Sequence, residues 1–231
     1  MPIKAAPRMT AWSYSRLSDY EGCPLRAKLK HIDKKQEPSG PALARGSDIH
    51  KEAEAFVCGR LPTLPESLAR FPEEFADLRA RKDIETERQL AVTAAWQPCD
   101  WFGAGAWLRV VVDCTYAGAT DAEAGRVVID FKTGKVRVTN NDQLDLYGLV
   151  MLAYHPGVKR VDSALWYLDA GEIVSKSLAR VEAVALRKKW EKRVAPMLAD
   201  ETFKPTPSDH CRWCHFGQSG KTKGGPGLCQ L

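Results

Sequence analysis

The run from Arg126 to Lys135, Arg-Val-Val-Ile-Asp-Phe-Lys-Thr-Gly-Lys, constrains the fold more than any other segment. A β-branched triplet precedes a Thr-Gly turn signal, which predicts a short buried strand. Side chains alternate along a strand, so Asp130 and Lys132 should share one face while Phe131 points to the other. Buried charges are costly unless they are paired or bind a metal. The segment alone leaves two interpretations open, a strand-end ion pair that runs into solvent or a functional site.

An upstream run, Trp107 to Tyr116, also reads as a strand and carries Asp113 in an apolar context. The segment between the two runs, residues 117–125, is rich in Gly, Ala and acidic residues and fits a hairpin loop. Adjacent antiparallel strands would bring Asp113 and Asp130 to one point, with Lys132 beside them. Converging carboxylates repel each other unless a hard divalent cation lies between them, and Mg²⁺ or Mn²⁺ suits oxygen ligands. The lysine would then position a water or stabilise charge on a phosphate.

Asp113 followed by Asp130-Phe131-Lys132-Thr-Gly resembles the core motif of the PD-(D/E)xK nucleases, specifically the RecB-like branch that includes the CRISPR adaptation nucleases. The resemblance implies an α/β, restriction-endonuclease-like core with a central mixed β-sheet flanked by helices. It also implies hydrolysis of DNA phosphodiesters that depends on Mg²⁺ or Mn²⁺, with Lys132 acting on the attacking water. The implied metal ligands are His50, Asp113, Asp130 and the backbone carbonyl of Phe131.

His50 lies in a predicted helix that Ser47 could cap, where Ile49 and Phe56 form part of an apolar stripe. His50 is one residue off that stripe, and a lone helical histidine is more often structural than a ligand. Gly46 and His50 match the Gly-x-x-x-His helical motif of the family, however. The resemblance therefore implies that His50 joins the metal site.

The helix after the central strand carries Gln143 and Tyr147, which are four residues apart and so share a face. Packing and hydrogen bonding on the helix surface would explain both residues. They also match the Gln-x-x-x-Tyr motif of the family, which contacts the substrate or orients the active site. Lys135 and Arg137, on the preceding loop, could meet phosphates of a nucleic acid. The resemblance gives Glu87, on the strand before Asp113, a supporting role.

The tail contains Cys211-x-x-Cys214 in a Pro/Gly-rich context, which indicates a metal site. His210 and His215 make a local zinc site possible. The alternative is a [4Fe–4S] cluster, because the Tyr-x-x-Cys-Pro motif near the N-terminus resembles that of iron–sulfur RecB-like nucleases. Such a cluster would clip the two termini together, although the last cysteine follows at a longer spacing than the family often has. The implied cluster ligands are Cys23, Cys211, Cys214 and Cys229.

Length and composition fit one nuclease domain. The chain has 231 residues, a formal charge of +5 and a pI of about 8.8, which is compatible with nucleic acid. We predict a nuclease core over residues 42–200 and a metal-binding subdomain built from residues 11–35 and 203–231. No apolar run is long enough to cross a membrane and no signal peptide is evident, so we expect a cytoplasmic protein of a bacterial or phage-infected cell.

The expected activity is that of an exonuclease on DNA ends or single strands, because no dedicated recognition domain is left over. DNA processing or recombination in a phage or mobile element is the expected setting. An annealing protein partner or a homo-oligomer is compatible with that setting. Two alternatives are a non-catalytic DNA-binding module on the same fold and a zinc-stabilised nucleic-acid-binding protein that uses the cysteine tail.

Overall fold

The computed structural model describes residues 8–37, 40–118, 125–217 and 228–229. The chain divides into two compact units, one formed by residues 40–188 and the other by residues 1–39 together with 189–231. Along the described ranges, none of the helices combines the length and the apolar character that a membrane crossing requires.

Six α-helices lie in the described ranges. They are α1 (Tyr14–Gly22), α2 (Pro24–Ala27), α3 (Pro41–Val57), α4 (Pro72–Ala80), α5 (Asn141–Tyr154) and α6 (Ala183–Ala199). A π-helix and short 3₁₀ helices complete the helical segments, at Lys28–Ile32, Glu66–Leu68, Val138–Asn140, Arg180–Glu182 and Asp209–Trp213.

A six-stranded sheet forms the centre of the unit 40–188. Its strands are β1 (Glu85–Val92), β2 (Pro98–Cys99), β3 (Leu108–Gly118), β4 (Gly125–Lys132), β5 (Arg160–Tyr167) and β6 (Glu172–Ala179). The spatial order is β2-β1-β3-β4-β5-β6, and every neighbouring pair is antiparallel except β4 and β5. The parallel pair needs a crossover connection, which α5 supplies. The predicted α/β fold with a mixed central sheet flanked by helices is confirmed.

The two faces of β4 differ as the period-2 pattern predicts. Phe131 points into an apolar cluster with Phe75 of α4 and Trp166 of β5, at ring-centroid distances of 5.3 and 5.9 Å. Asp130 points the other way, towards α5, where Tyr147 donates a hydrogen bond to it. Alternation along one short strand therefore separates the core from the charged residues.

The start of α3 differs from the prediction. The helix begins at Pro41 with Gly40 at the N-cap, so the expectation that Ser47 caps it is wrong. Proline is favoured at the first helical position because its missing N–H has no intrahelical partner there and its φ is already helical. Ser47 therefore lies inside the helix. At α1 the Ser13 side chain caps the helix by accepting from the Arg16 N–H.

Candidate active site

Three acidic residues line up across three neighbouring strands of the sheet. The register of β3 with β4 pairs Cys114 with Ile129, and continuing it by one residue places Asp113 opposite Asp130. The predicted antiparallel hairpin is thus confirmed, while the tip of its loop, residues 119–124, lies outside the described residues. On the other side of β3, the register with β1 places Glu87 opposite Asp113.

His50 reaches this row from α3. Its Nδ1 lies 3.3 Å from Asp113 Oδ1, and its ring meets the Phe131 ring edge-on at 6.2 Å. Gly46 allows α3 to come this close, since a Cβ at that position would lie 3.1 Å from Thr133 Oγ1. His50, Glu87 and Asp113 each offer a ligand atom, and these atoms all lie within 4.8 Å of one another.

Asp113 is held by its second oxygen as well. The Phe131 backbone N–H donates to Asp113 Oδ2 at 2.6 Å. One carboxylate oxygen therefore faces His50 while the other is fixed to β4, so the orientation of Asp113 is set by two elements. This carboxylate is almost fully buried, with 8% of the residue exposed.

Asp130 occupies a buried position beside that group. Its Oδ1 accepts from the Tyr147 hydroxyl, and the Lys132 ammonium lies 2.5 Å from its Oδ2. This contact is a short ion pair, so Lys132 already partners Oδ2. Burial raises the pKa of Asp130, and the charge of Asp113 raises it further, while Lys132 and Tyr147 act in the opposite direction.

Gln143 and Tyr147 form a short relay on α5. Gln143 Nε2 donates to the Tyr147 hydroxyl at 2.5 Å, and that hydroxyl donates to Asp130. Tyr147 is 1% exposed, and burial together with the Asp130 charge raises its pKa well above the ordinary value. This placement puts Tyr147 behind the carboxylate rather than on an exposed surface, and Gln143 is half-buried next to it.

The electrostatics of the cluster favour a cation. Burial lowers the pKa of His50, but the hydrogen bond that its ring donates to Asp113 and the charges of Asp113 and Asp130 outweigh burial and raise the pKa overall. Burial and the Asp113 charge also raise the pKa of Glu87. The carboxylates therefore repel one another, and the pKa values of His50, Glu87 and Asp130 are all raised.

The donor set fits a hard divalent ion. Carboxylate oxygens with one imidazole suit Mg²⁺ or Mn²⁺ better than a thiophilic metal. Asp130 lies beside this group, where its Oδ2 pairs with Lys132, and it is not part of the set of atoms within 4.8 Å. A cavity of about 610 Å³ opens onto His50, Glu87, Asp113 and Lys132, so a substrate has room to approach.

Glu87 is closer to the candidate metal ligands than its sequence-derived supporting role suggests. Its backbone has φ 49°, in the left-handed region that a glutamate adopts at a cost. Such strain persists where the surrounding structure imposes it, and it is common at functional sites. The register of β1 with β3 is the signal that identifies Glu87, and no local pattern in the sequence reveals it.

The predicted phosphate-binding side chains lie on the segment after β4. Lys135 and Arg137 are exposed there. The Tyr167 hydroxyl accepts from the Arg137 N–H at 3.3 Å and donates to the Arg137 carbonyl at 3.2 Å. The backbone at Arg137 is thus anchored while its guanidinium is free to extend.

All four cysteines that the sequence singles out belong to the unit of residues 1–39 and 189–231, and all are free thiols. Cys23 ends α1 and precedes α2, where its N–H donates to the Asp19 carbonyl. Cys211 and Cys214 lie at the 3₁₀ helix Asp209–Trp213.

The long spacing to Cys229 is closed by backbone pairing. The Cys229 N–H donates to the Phe216 carbonyl at 2.8 Å, and Cys229 forms an isolated β-bridge with Gly217. The Gly217 N–H in turn donates to the Cys214 carbonyl at 3.2 Å. The last cysteine therefore returns to the neighbourhood of Cys214 despite the intervening segment.

Cys214 also lies near α2, the helix that follows Cys23. Burial lowers the pKa of Arg26, but the charges of Asp19 and Glu37, with a smaller effect from Cys214, raise it overall. In the part of the chain that the structure describes, Cys211 and Cys214 do not belong to a set of three ligand atoms that all lie within 4.8 Å of one another.

Comparisons with known proteins agree with this geometry. The sequence model of the PD-(D/E)XK nuclease superfamily matches residues 11–219, so the chain belongs to that superfamily. A comparison with curated proteins finds no match.

Two solved structures match this chain at low sequence identity. A protein from Eubacterium rectale named “Putative exonuclease” has 14% identity and a TM-score of 0.50, over 89% of this chain and 86% of that one. SSO0001 has 14% identity and a TM-score of 0.47, over 93% of this chain and 86% of that one. At this identity the likeness to the Eubacterium protein concerns the fold alone.

Proposed function

We propose that this member of the superfamily is a DNA exonuclease that depends on Mg²⁺ or Mn²⁺. The observation that carries the proposal is the convergence of His50, Glu87 and Asp113 within 4.8 Å, next to the ion pair of Asp130 and Lys132. These residues come from four different elements, and a purely structural role would not require two carboxylates and an imidazole to meet in an open cavity.

Three or four side chains would hold the metal. His50, Glu87 and Asp113 would supply one atom each, and Asp130, whose Oδ2 pairs with Lys132, would be the fourth ligand. The carbonyl of Phe131 stays a predicted ligand. A divalent cation held there would polarise the phosphodiester and lower the pKa of a bound water.

Lys132 and Tyr147 serve the site in different ways. The Lys132 ammonium, 2.5 Å from Asp130, carries a charge that stabilises the negative charge developing on the phosphate, and it can orient the attacking water. Tyr147 donates to the opposite oxygen of Asp130 and thereby fixes the carboxylate, while Gln143 fixes the tyrosine hydroxyl. We therefore assign orientation of the active site, rather than substrate contact, to Tyr147.

DNA is the proposed substrate, entering from an end. The Eubacterium neighbour carries the name “Putative exonuclease”, which supports that mode of cleavage. Lys135 and Arg137, exposed beyond β4, are positioned to contact backbone phosphates near the cavity. Such contacts should make binding depend on salt.

The test is cleavage of matched DNA substrates. End-labelled single strands, linear duplex and covalently closed circles would be incubated with Mg²⁺, Mn²⁺ or EDTA. We expect metal-dependent degradation of linear DNA and little attack on closed circles. Asp130→Asn and Lys132→Ala should each reduce the rate by at least about a hundredfold, because each removes charge that acts in the transition state. Cleavage that survives both substitutions would place the active site elsewhere.

We further propose that Cys23, Cys211, Cys214 and Cys229 hold a [4Fe–4S] cluster in a subdomain formed by residues 11–35 and 203–231. The return of Cys229 to Gly217 supports this assignment. The test is a visible spectrum and metal analysis of anaerobically purified protein. A broad absorbance near 400 nm with about four irons per chain is expected for a cubane cluster. One zinc and no colour would favour the zinc alternative, in which the tail stabilises a nucleic-acid-binding fold.

A further inference from the structure

The turn that follows Lys132 is anchored by a residue from a different part of the chain. Gly134 has φ 81°, and its N–H donates to Asp169 Oδ2 at 2.5 Å. One residue earlier in that partner segment, the Leu168 N–H donates to the Lys132 carbonyl at 2.9 Å. The segment after β5 therefore holds the backbone on both sides of Thr133.

The same carboxylate also binds α3. Arg45 Nη2 lies 2.6 Å from Asp169 Oδ1, and Arg45 Nη1 lies 2.9 Å from Asp169 Oδ2. Arg45 immediately precedes Gly46, the residue whose missing side chain lets α3 approach Thr133. Asp169 thus joins α3 and the turn after β4 through three hydrogen bonds.

We propose that Asp169 and Arg45 form a positioning clip that fixes α3, which carries His50, against the turn that follows Lys132. The inference rests on the proposed nuclease function and extends it to residues outside the metal site. Neither residue is among the metal-ligating group or its ion pair, so both act through His50 and Lys132. The two functional side chains come from separate elements, and the clip sets their relative position.

The chemistry of the contact suits this role. A bidentate guanidinium–carboxylate pair is directional and stronger than a neutral hydrogen bond. The hydrogen bond from Arg45 and that from the Gly134 N–H outweigh partial burial and lower the pKa of Asp169 to about 2. The clip is therefore charged at every pH used for nuclease assays and is not a pH switch.

The two side chains of the clip are partly exposed and contribute little to the packing of the core. The side chains of Arg45 and Asp169 are 56% and 28% exposed, so their substitution removes little packing. Exposed ion pairs contribute little to global stability. A displacement of about 1 Å at catalytic groups can nevertheless cost about a hundredfold in rate. The expected signature is thus lost activity in a folded protein.

The experiment compares Asp169→Asn and Arg45→Lys with a matched control in the full chain. Asparagine has one acceptor oxygen and no charge, and lysine keeps the charge without the bidentate fork. The control is Asp162→Asn, which breaks an exposed Arg160–Asp162 ion pair at the other end of β5. We expect both clip variants to lower kcat about 10- to 100-fold with KM changed less than about threefold. The control should keep wild-type kinetics.

Two readouts do not depend on cleavage. Hydrogen exchange at the Gly134 amide should accelerate at least about tenfold in Asp169→Asn, and Mn²⁺ affinity should fall about threefold or more because His50 is less well placed. The pH–rate profile should keep its shape, since Asp169 takes no part in proton transfer.

The outcomes separate the clip from the nuclease assignment. If wild-type protein degrades no DNA, the proposed function fails, and the clip is judged by Gly134 exchange and Mn²⁺ affinity alone. If Asp169→Asn leaves both of these unchanged, the clip is refuted whatever the activity. If Arg45→Lys matches wild type in kcat, the bidentate geometry is not what matters, and the proposal is likewise overturned.

Discussion

Replacing Tyr147 by phenylalanine tests whether the buried relay on α5 controls the chemistry at Asp130. The substitution keeps the ring, which is 1% exposed, and removes only the hydroxyl that donates to Asp130 and accepts from Gln143. A hydrogen bond to a charged group contributes about 1.5–3 kcal/mol. At about 1.4 kcal/mol for each factor of ten, kcat/KM should fall roughly 10- to 150-fold.

The same helix provides the control for this experiment. Tyr154 lies on α5, where its hydroxyl accepts from the Ala91 N–H and donates to the Ala91 carbonyl, away from the acidic row. Tyr154→Phe removes bonds between neutral groups, each contributing about 0.5–1.5 kcal/mol to stability. We expect that variant to lose some stability and to keep wild-type kcat/KM.

The assay is steady-state cleavage of linear DNA with Mn²⁺, alongside thermal unfolding of each variant. A selective loss of kcat/KM in Tyr147→Phe, with both variants folded, would support the orienting role. Equal kinetic losses in the two variants would point to a general effect of loosening α5. Wild-type kinetics in Tyr147→Phe would refute the argument that the phenol fixes Asp130.

Three other predictions concern the metal site and the core. Saturating Mn²⁺ at about a hundred times its Kd should stabilise the fold by about 2.7 kcal/mol and raise Tm by roughly 5–11 °C, and Asp113→Ala should abolish that shift in a calorimeter. Glu87→Gly should weaken Mn²⁺ binding at least about tenfold, as measured by titration. The same substitution should keep or raise Tm, since glycine adopts the left-handed φ of 49° without strain. A large drop in Tm would contradict this prediction. Gly148→Ala should lower the free energy of unfolding, measured in urea, by about 1–2 kcal/mol, because a Cβ there would lie 2.9 Å from Leu178 Cδ2. The higher helix propensity of alanine offsets only part of this overpacking. Unchanged stability would mean that Leu178 repacks freely.

The part of the site that the sequence predicted depends on local periodicity. Alternation along β4 assigns Asp130 and Lys132 to one face and Phe131 to the other, and the hairpin with β3 follows from the adjacent strand run. These features need only short-range geometry. They could therefore be derived before any tertiary contact was known.

The rest depends on register and packing between distant segments. Glu87 joins the ligand group only because β1 pairs with β3 in one particular register, and its left-handed backbone has no sequence signature in a non-glycine residue. Asp169 reaches Gly134 and Arg45 through the parallel pairing of β4 with β5. The prediction that Ser47 caps α3 is wrong because the helix begins at Pro41, which lies outside the apolar stripe on which the prediction rests.

Helical spacing likewise could not decide between the two roles of Tyr147. Every residue of α5 from Leu144 to Leu152 is buried, polar Asp145 included, so no exposed face marks which side chains meet a substrate. A helix that is buried on all sides gives little directional information in its pattern. Only the position of α5 against Asp130 shows where the phenol points.

Phe131 couples the packing of the aromatic core to the position of a carboxylate in the candidate active site. Its ring is 1% exposed within the aromatic cluster, while its own backbone N–H holds Asp113. Substitutions that change the volume around Phe75 or Trp166 will therefore displace a carboxylate without touching it. A screen for temperature-sensitive variants should therefore recover substitutions in this aromatic cluster. Such substitutions should reduce the catalytic rate before they reduce the stability of the fold.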